Sequence, residues 1–291
     1  MLKLYSPFII KFDGLPDVVL SCVDVNEIIP HEEADQRVLE ATRKYITKGR
    51  KIKDPIIVDK RTGVILDGTH RYAVAKELNI EKLPAACVDY NDYRIRVRGW
   101  VLSIVKSAPI IEELANQWEI TGHPKQGRLT LFYRGEFYAS NPGDAMELLR
   151  KAQEISHRIE LEGGIVLRDA FPRRGITAIY LPYPSKSEII SNAMIHRLYP
   201  PKSTRHVVPG RPMNLNFPLG SNCEIRELIF RKSMRLLRPQ SKIGKKVFEE
   251  EVLLFKRSPT MSYWHYGYDI SVMKLCPSPS PYIRIHTIYE V

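Results

Sequence analysis

Between residues 17 and 25 the chain runs Asp-Val-Val-Leu-Ser-Cys-Val-Asp-Val, a β-branched stretch that predicts a strand. Pro30-His31-Glu32 then leads into a helical pattern lasting to about Thr47. Ala34, Val38, Ala41 and Tyr45 form one stripe of it, and Gly49 supports a stop. Residues 55–59 and 63–67 predict two strands joined by a Lys60-Arg61-Thr62 turn. A helix is expected from about Thr69 to Leu78, then a strand over 84–90. This is a compact α/β unit whose polar clusters fall where strands pass into helices.

The pattern continues with a helix over 109–118 and a hairpin over 129–138, turning at Arg134-Gly135. A second strong helix is predicted over 142–155, with Ala145, Leu148, Leu149 and Ala152 on one face. Strands follow at 165–167 and 178–181, and a helix at 186–195. Pro182, Pro184, Pro200, Pro201, Pro209 and Pro212 mark turns around the next polar cluster. From residue 213 onward the character changes. Residues 225–237 predict a basic amphipathic helix, with Pro239 and Gly244 beyond it, and the end is rich in Pro, Ser and Tyr. The expected organisation is therefore a catalytic α/β domain over 1–100, a second α/β lobe over 101–212, and a basic extension over 213–291.

Composition narrows the function classes. A chain of 291 residues with 44% hydrophobic and 26% charged residues can build a substantial core. No apolar run is long enough to span a bilayer, and the N-terminus lacks a signal-peptide core, so the cytoplasm is the expected location. Cys22, Cys87, Cys223 and Cys276 are scattered without CxxC spacing, which argues against zinc or a redox dithiol and for small buried hydrophobes. The formal charge is +11, with 12 Lys/Arg against 7 Asp/Glu beyond residue 212. Such a balance suits a nucleic-acid surface, a site for anionic ligands, or simply a solvated basic face.

Two pentapeptides hold most of the candidate chemistry. Asp67-Gly68-Thr69-His70-Arg71 ends a predicted strand and opens a predicted helix. Gly68 permits a tight turn, and the helix-start N–H groups favour phosphate. Asp67 can hold Mg²⁺ through oxygen, and His70 and Arg71 can bridge phosphoryl oxygens. The plain alternative is an Asp-Gly turn and a helix cap. Lys202-Ser203-Thr204-Arg205-His206 places cationic groups and two hydroxyls in a Pro-bounded loop that can form a nest for an anion. Its alternative is an exposed basic loop. Glu32 offers a carboxylate for a hydroxyl proton, or merely complements a helix macrodipole. Trp100 by itself suits a core. Together these are the parts of a phosphoryl-transfer site.

The combination resembles the archaeal free serine kinases, a branch of the ParB/sulfiredoxin-like superfamily that also includes a bacterial siderophore-pathway serine kinase. That family carries a Pro-His-Glu segment, an Asp-Gly-His-His-Arg segment after a strand, and a late Lys-Thr-Thr-Arg-His-Val-Leu-Pro segment. Here they correspond to Pro30–Glu32, Asp67–Arg71 and Lys202–Pro209, with Asp89-Tyr90 and Trp100 also fitting. The resemblance covers roughly residues 15–212. It implies transfer of a phosphoryl group from ADP or ATP, with Mg²⁺, to the hydroxyl of free L-serine, or of L-threonine or another small hydroxy compound. It further implies catalytic roles for Glu32, Asp67, His70 and Arg71, with Asp67 also on the metal. Phosphate or nucleotide would be held by Gly68, Thr69, Lys202, Ser203, Thr204, Arg205 and His206, and substrate by Trp100. Thr69 stands where the family has a histidine, and 213–291 extend past its usual end.

A ParB-like nucleic-acid-binding protein is the alternative of another class. ParB-type chains carry a helix-turn-helix after the α/β unit, whereas 92–140 here predicts strand, helix and hairpin, which argues against nucleic acid as the partner. A sulfiredoxin-type reductase would need a cysteine where Thr69 stands. A homo-oligomer is left open.

Overall fold

Strand β1 (Tyr5–Ile10) is the first element of the computed structural model, which describes residues 2–10, 15–213 and 215–220, and beyond them four short strand segments, Val252–Leu253, Lys256–Arg257, Gly267–Asp269 and Ile283–Arg284. The chain forms two compact units: Met1–Arg96 with Val207–Val291, and Val97–His206.

In the first unit β1 pairs antiparallel with β2 (Val18–Asp24), and an irregularity separates Tyr5 from Phe8. Pro7 has no N–H to give to the ladder, and it interrupts the apolar pattern of the segment, which hides it from a pattern search. Helix α1 (Gln36–Gly49) follows, then β3 (Lys51–Ile52), β4 (Ile56–Asp59), β5 (Ile65–Asp67), helix α2 (Thr69–Glu77) and β6 (Lys82–Val88). The sheet order is β1-β2-β6-β4-β5. Only β4 and β6 run parallel. Central β6 is buried from Leu83 to Val88, and β4 along its whole length, as strands covered on both faces require.

Helix α1 departs from the expected stripe. Asp35 caps it by accepting the Val38 N–H at 3.1 Å, so the helix begins after Ala34. Its buried residues are Leu39 and Ile46, while Tyr45 is 51% exposed. The branched residues seven apart set the packed face, and the small alanines do not. Asp59 shows how a polar residue is carried inside: its carboxylate accepts from Thr62 N–H, Thr62 Oγ1–H and Tyr90 N–H.

Strand β7 (Arg96–Arg98) leads into the second unit, which contains β8 (Val101–Lys106), α3 (Ile110–Gln117), β9 (Glu119–Thr121), β10 (Thr130–Tyr133), β11 (Glu136–Ala139), α4 (Ala145–Leu161), β12 (Ile165–Asp169), β13 (Thr177–Tyr180) and α5 (Lys186–Met194). Its antiparallel sheet has the order β12-β8-β13-β10-β11-β9. The predicted hairpin turns at Arg134 and Gly135, both at positive φ, 50° and 88°. Helix α4 starts later than predicted because Asp144 caps it, and runs on because Ile155 and Ile159 continue the buried face. Helix α5 opens on a capping box between Ser185 and Glu188. The stretch 92–140 holds one helix among strands, with no helix-turn-helix. The architecture is mixed α/β, as the sequence pattern predicts.

Strand β14 (Arg205–Val207) returns the chain to the first unit, where β15 (Arg211–Met213) follows. Beyond it β16 (Phe217–Pro218) pairs with β3. Leu215 and Phe217 are buried. The predicted helix over 225–237 lies outside the described residues. Among those residues no helix is long and apolar enough to cross a membrane. Cys87 is a fully buried free thiol, as expected of a small core residue, and Cys22 is equally buried.

Candidate active site

The first unit brings two of the three sequence motifs together. Ile29 N–H donates to Gly63 O at 3.0 Å and Ile65 N–H donates to Ile29 O at 2.9 Å. This bridge holds the Pro30–Glu32 segment beside the strand that ends in Asp67. Glu32 lies ahead of α1, not in its first turn, so the macrodipole reading does not apply to it. His31 is 2% exposed, and its Nε2 stands 3.6 Å from Oε1 of Glu32, whose side chain is 12% exposed. A buried neighbour of this kind restricts where the Glu32 carboxylate can point.

His70 supplies the second tie. Its Nε2 accepts the Asp35 backbone N–H at 3.0 Å. A ring nitrogen that accepts carries no proton, so this hydrogen bond assigns His70 the neutral tautomer protonated on Nδ1. This hydrogen bond fastens the start of α1 to the start of α2.

Asp67 sits at the end of β5, opposite Ile57. Its Oδ2 receives Arg211 Nη1 and lies 3.5 Å from Arg71 Nη2. The three side chains are 40%, 12% and 23% exposed for Asp67, Arg211 and Arg71. Gly68 follows at φ 106° and occupies the N-cap of α2 with no side-chain cap. A Cβ there would meet Ile56 Cγ2 at 2.7 Å and Arg71 Nη2 at 2.8 Å. Glycine is thus needed twice, for the backbone conformation and to let the Arg71 guanidinium lie against the turn. Thr69, His70 and Arg71 open α2, where backbone N–H groups lack helical acceptors.

The second unit carries the late motif, and its loop is not an exposed basic loop. Ser203, Thr204, Arg205 and His206 are all buried; only Lys202, at φ 56°, faces solvent. Ser203 Oγ–H donates to Pro200 O at 2.7 Å, so this hydroxyl shapes the loop. Trp100 Nε1–H donates to Thr204 O at 3.0 Å, and Arg168 Nη1 donates to the carbonyls of Pro201 and Lys202. Trp100 is therefore a clamp on the loop, a role its sequence position does not announce. The Arg205 guanidinium lies 5.9 Å from the Trp100 ring and 5.6 Å from the Phe171 ring. Burial, and secondarily the Arg98 cation, push its pKa below the ordinary arginine value. A desolvated cation facing a like charge is stabilised by an arriving anion.

Arg211, Arg168 and Phe171 carry no signal that a sequence reading could use. Arg211 meets Asp67 across 144 positions, so no local pattern marks it. Among the described residues no group of three or more His, Cys, Asp or Glu could hold a metal ion. A single carboxylate, Asp67, fits Mg²⁺ only in the manner common at phosphate sites, where the donor's oxygens and water supply the other ligands.

No protein-family model matches the chain. Among curated proteins, the ATP-dependent L-serine kinase of Staphylothermus marinus is 26% identical over 228 residues, covering 68% of this chain and 88% of the relative. The ParB-like protein of Sulfolobus acidocaldarius is 28% identical over 188 residues, 65% of this chain and 90% of the relative. The ADP-dependent L-serine kinase SerK of Thermococcus kodakarensis is 24% identical over 219 residues, 68% and 90%. Among solved structures, a free serine kinase variant in complex with ADP superposes with a TM-score of 0.57 at 22% identity, covering 69% of this chain and 92% of that one. The chain is thus a relative of archaeal proteins named as L-serine kinases and as a ParB-like protein, and it has the fold of the free serine kinases.

Proposed function

We propose that this protein phosphorylates the side-chain hydroxyl of a free amino acid, L-serine before L-threonine, with ADP or ATP as donor. The observation that carries the reading is Asp67 at a strand end, flanked by the guanidinium groups of Arg71 at the start of α2 and of Arg211 in β15, with the Glu32 segment tied to the strand that Asp67 ends. The relatives' names supply the substrate class and leave the donor divided between ATP and ADP. Glu32 accepts the proton of the acceptor hydroxyl, and His31 restrains its carboxylate. Arg71 and the N–H groups opening α2 hold phosphate oxygens, and His70 keeps the two segments in register. Thr69 opens the same turn. In the second unit, Arg205 supplies a desolvated fork for phosphate, within a loop that includes Lys202, Ser203, Thr204 and His206 and is clamped by Trp100. Mg²⁺, when bound, neutralises charge on the donor phosphates, and Asp67 is the residue that would hold it.

Glu32→Gln keeps shape and removes the proton acceptor. Turnover of serine should fall about 10²–10⁴-fold with the melting temperature unchanged. A folded variant with wild-type kcat would end the assignment of Glu32 as base.

A second reading has one observation behind it, the ParB-like relative, together with the net charge of +11. It predicts DNA binding that weakens steeply with salt. Filter binding between low and physiological salt decides it.

A further inference from the structure

Two arginines on one half-exposed carboxylate are more than an ion pair requires. Asp67 Oδ2 receives Arg211 and lies within 3.5 Å of Arg71. The arrangement carries one net positive charge. Arg71 Nε and Arg211 Nε are both buried and without a hydrogen-bond partner. A buried guanidinium N–H left unpaired carries a desolvation cost, which is tolerated where a ligand later redistributes the hydrogen bonds. Arg211 is held in place by its backbone: it opens β15 directly after Gly210, at φ 75°. Its side chain is 12% exposed, so it is built in rather than waving in solvent.

We propose that Arg211 and Arg71 form a two-guanidinium subsite for a phosphate group of the nucleotide, and that Asp67 is the resident anion of that subsite when no nucleotide is bound. The subsite takes a terminal phosphate or pyrophosphate by the bidentate geometry that suits guanidinium. An arriving phosphate displaces the carboxylate from Arg211, and the released carboxylate turns toward whatever cation accompanies the phosphate. This rests on the kinase reading for the identity of the ligand, but not for the exchange of one anion for another.

The exchange makes a signed prediction. In EDTA, with no metal for Asp67 to hold, Asp67→Asn removes the competing anion and should tighten pyrophosphate and ADP binding several-fold, while the same variant should weaken ADP binding once Mg²⁺ is added. Arg211→Ala should weaken metal-free binding of both probes by about tenfold or more, the worth of a hydrogen bond to a charged group. Arg211→Lys, which keeps the charge and loses the fork, covers the case in which the alanine variant does not fold, and should weaken binding at least about threefold. Titration calorimetry in EDTA reads all of these. Weaker or unchanged metal-free binding in folded Asp67→Asn, wild-type affinity in Arg211→Lys, or no detectable binding of either probe by the wild type would each overturn the proposal. Absence of serine phosphorylation by a wild-type protein whose variants follow this pattern would sink the kinase reading and leave the subsite standing.

Discussion

Gly68→Ala isolates what the strand-to-helix turn contributes. Two costs are separable. The residue sits at φ 106°, ψ 22°, in left-handed space. A side chain there costs about 1–2 kcal/mol. The added Cβ would also stand 2.7 Å from Ile56 Cγ2 and 2.8 Å from Arg71 Nη2. Ile56 is fully buried and cannot swing aside, so an overpacking cost of about 1–3 kcal/mol is expected on top. The combined loss is about 2–5 kcal/mol, or a fall of about 4–20 °C in Tm at 2–4 °C per kcal/mol. Gly135→Ala provides the reference: its φ is 88°, yet nothing lies within 4 Å of where its methyl group would stand, so it should show the backbone cost alone. Calorimetry of the two variants gives the packing cost by difference. Arg71 must also move in Gly68→Ala, so nucleotide affinity should fall beyond what the residual folded fraction explains. Equal Tm values for the two variants, with unchanged ADP affinity in Gly68→Ala, would refute the claim that Gly68 makes room for Arg71.

Arg205→Lys retains a cation but loses the planar fork between Trp100 and Phe171; KM for the donor should rise by about tenfold, and equal kcat/KM in steady-state kinetics would place Arg205 outside the phosphate contacts. Trp100→Phe removes the N–H that holds Thr204 O while keeping a ring, so donor KM should rise with little change in Tm; unchanged KM would show that the loop needs no clamp. Burial, helped by the Asp59 charge, pushes the Cys87 thiol up to about 12, against 9.0 for an unperturbed thiol. Its stabilising share is therefore complete below pH 9 and declines by about 1.4 kcal/mol per pH unit as the pH climbs toward 12. Denaturant titrations of wild type and Cys87→Ala should accordingly converge across that window, and parallel pH profiles would contradict the buried thiol.

Features with local causes are visible in the sequence. A short unbroken apolar run marks the strands 56–59 and 82–88, β-branched in the first and small-residue in the second, and Asp67-Gly68 announces a turn into a helix because only glycine relaxes there. Caps shift the boundaries: Asp35 and Asp144 start α1 and α4 later than the apolar stripe suggests. The buried face of α1 differs from the expected stripe because small alanines satisfy the spacing while Leu39 and Ile46 supply the volume. Strand β1 leaves no clear signal because Pro7 interrupts its pattern. At the site, the motif residues are legible as a chemical inventory. Their working relations are not: His70 reaches Asp35, Trp100 reaches Thr204, and Arg211 reaches Asp67, and each link spans 35 to 144 positions of chain. Composition also hints at a solvated basic loop, whereas Ser203 to His206 are buried.

The central claim, phosphorylation of a free hydroxy amino acid, is tested most directly by phosphorus NMR on a matrix of acceptors and donors: serine, threonine and homoserine, each with ADP, ATP or pyrophosphate in the presence of Mg²⁺. O-phosphoserine is expected with ADP or ATP, and slower formation of phosphothreonine, since a pocket discriminates one methyl group by about 1–3 kcal/mol. A folded sample that binds ADP yet forms no phosphorylated amino acid under any combination would contradict it.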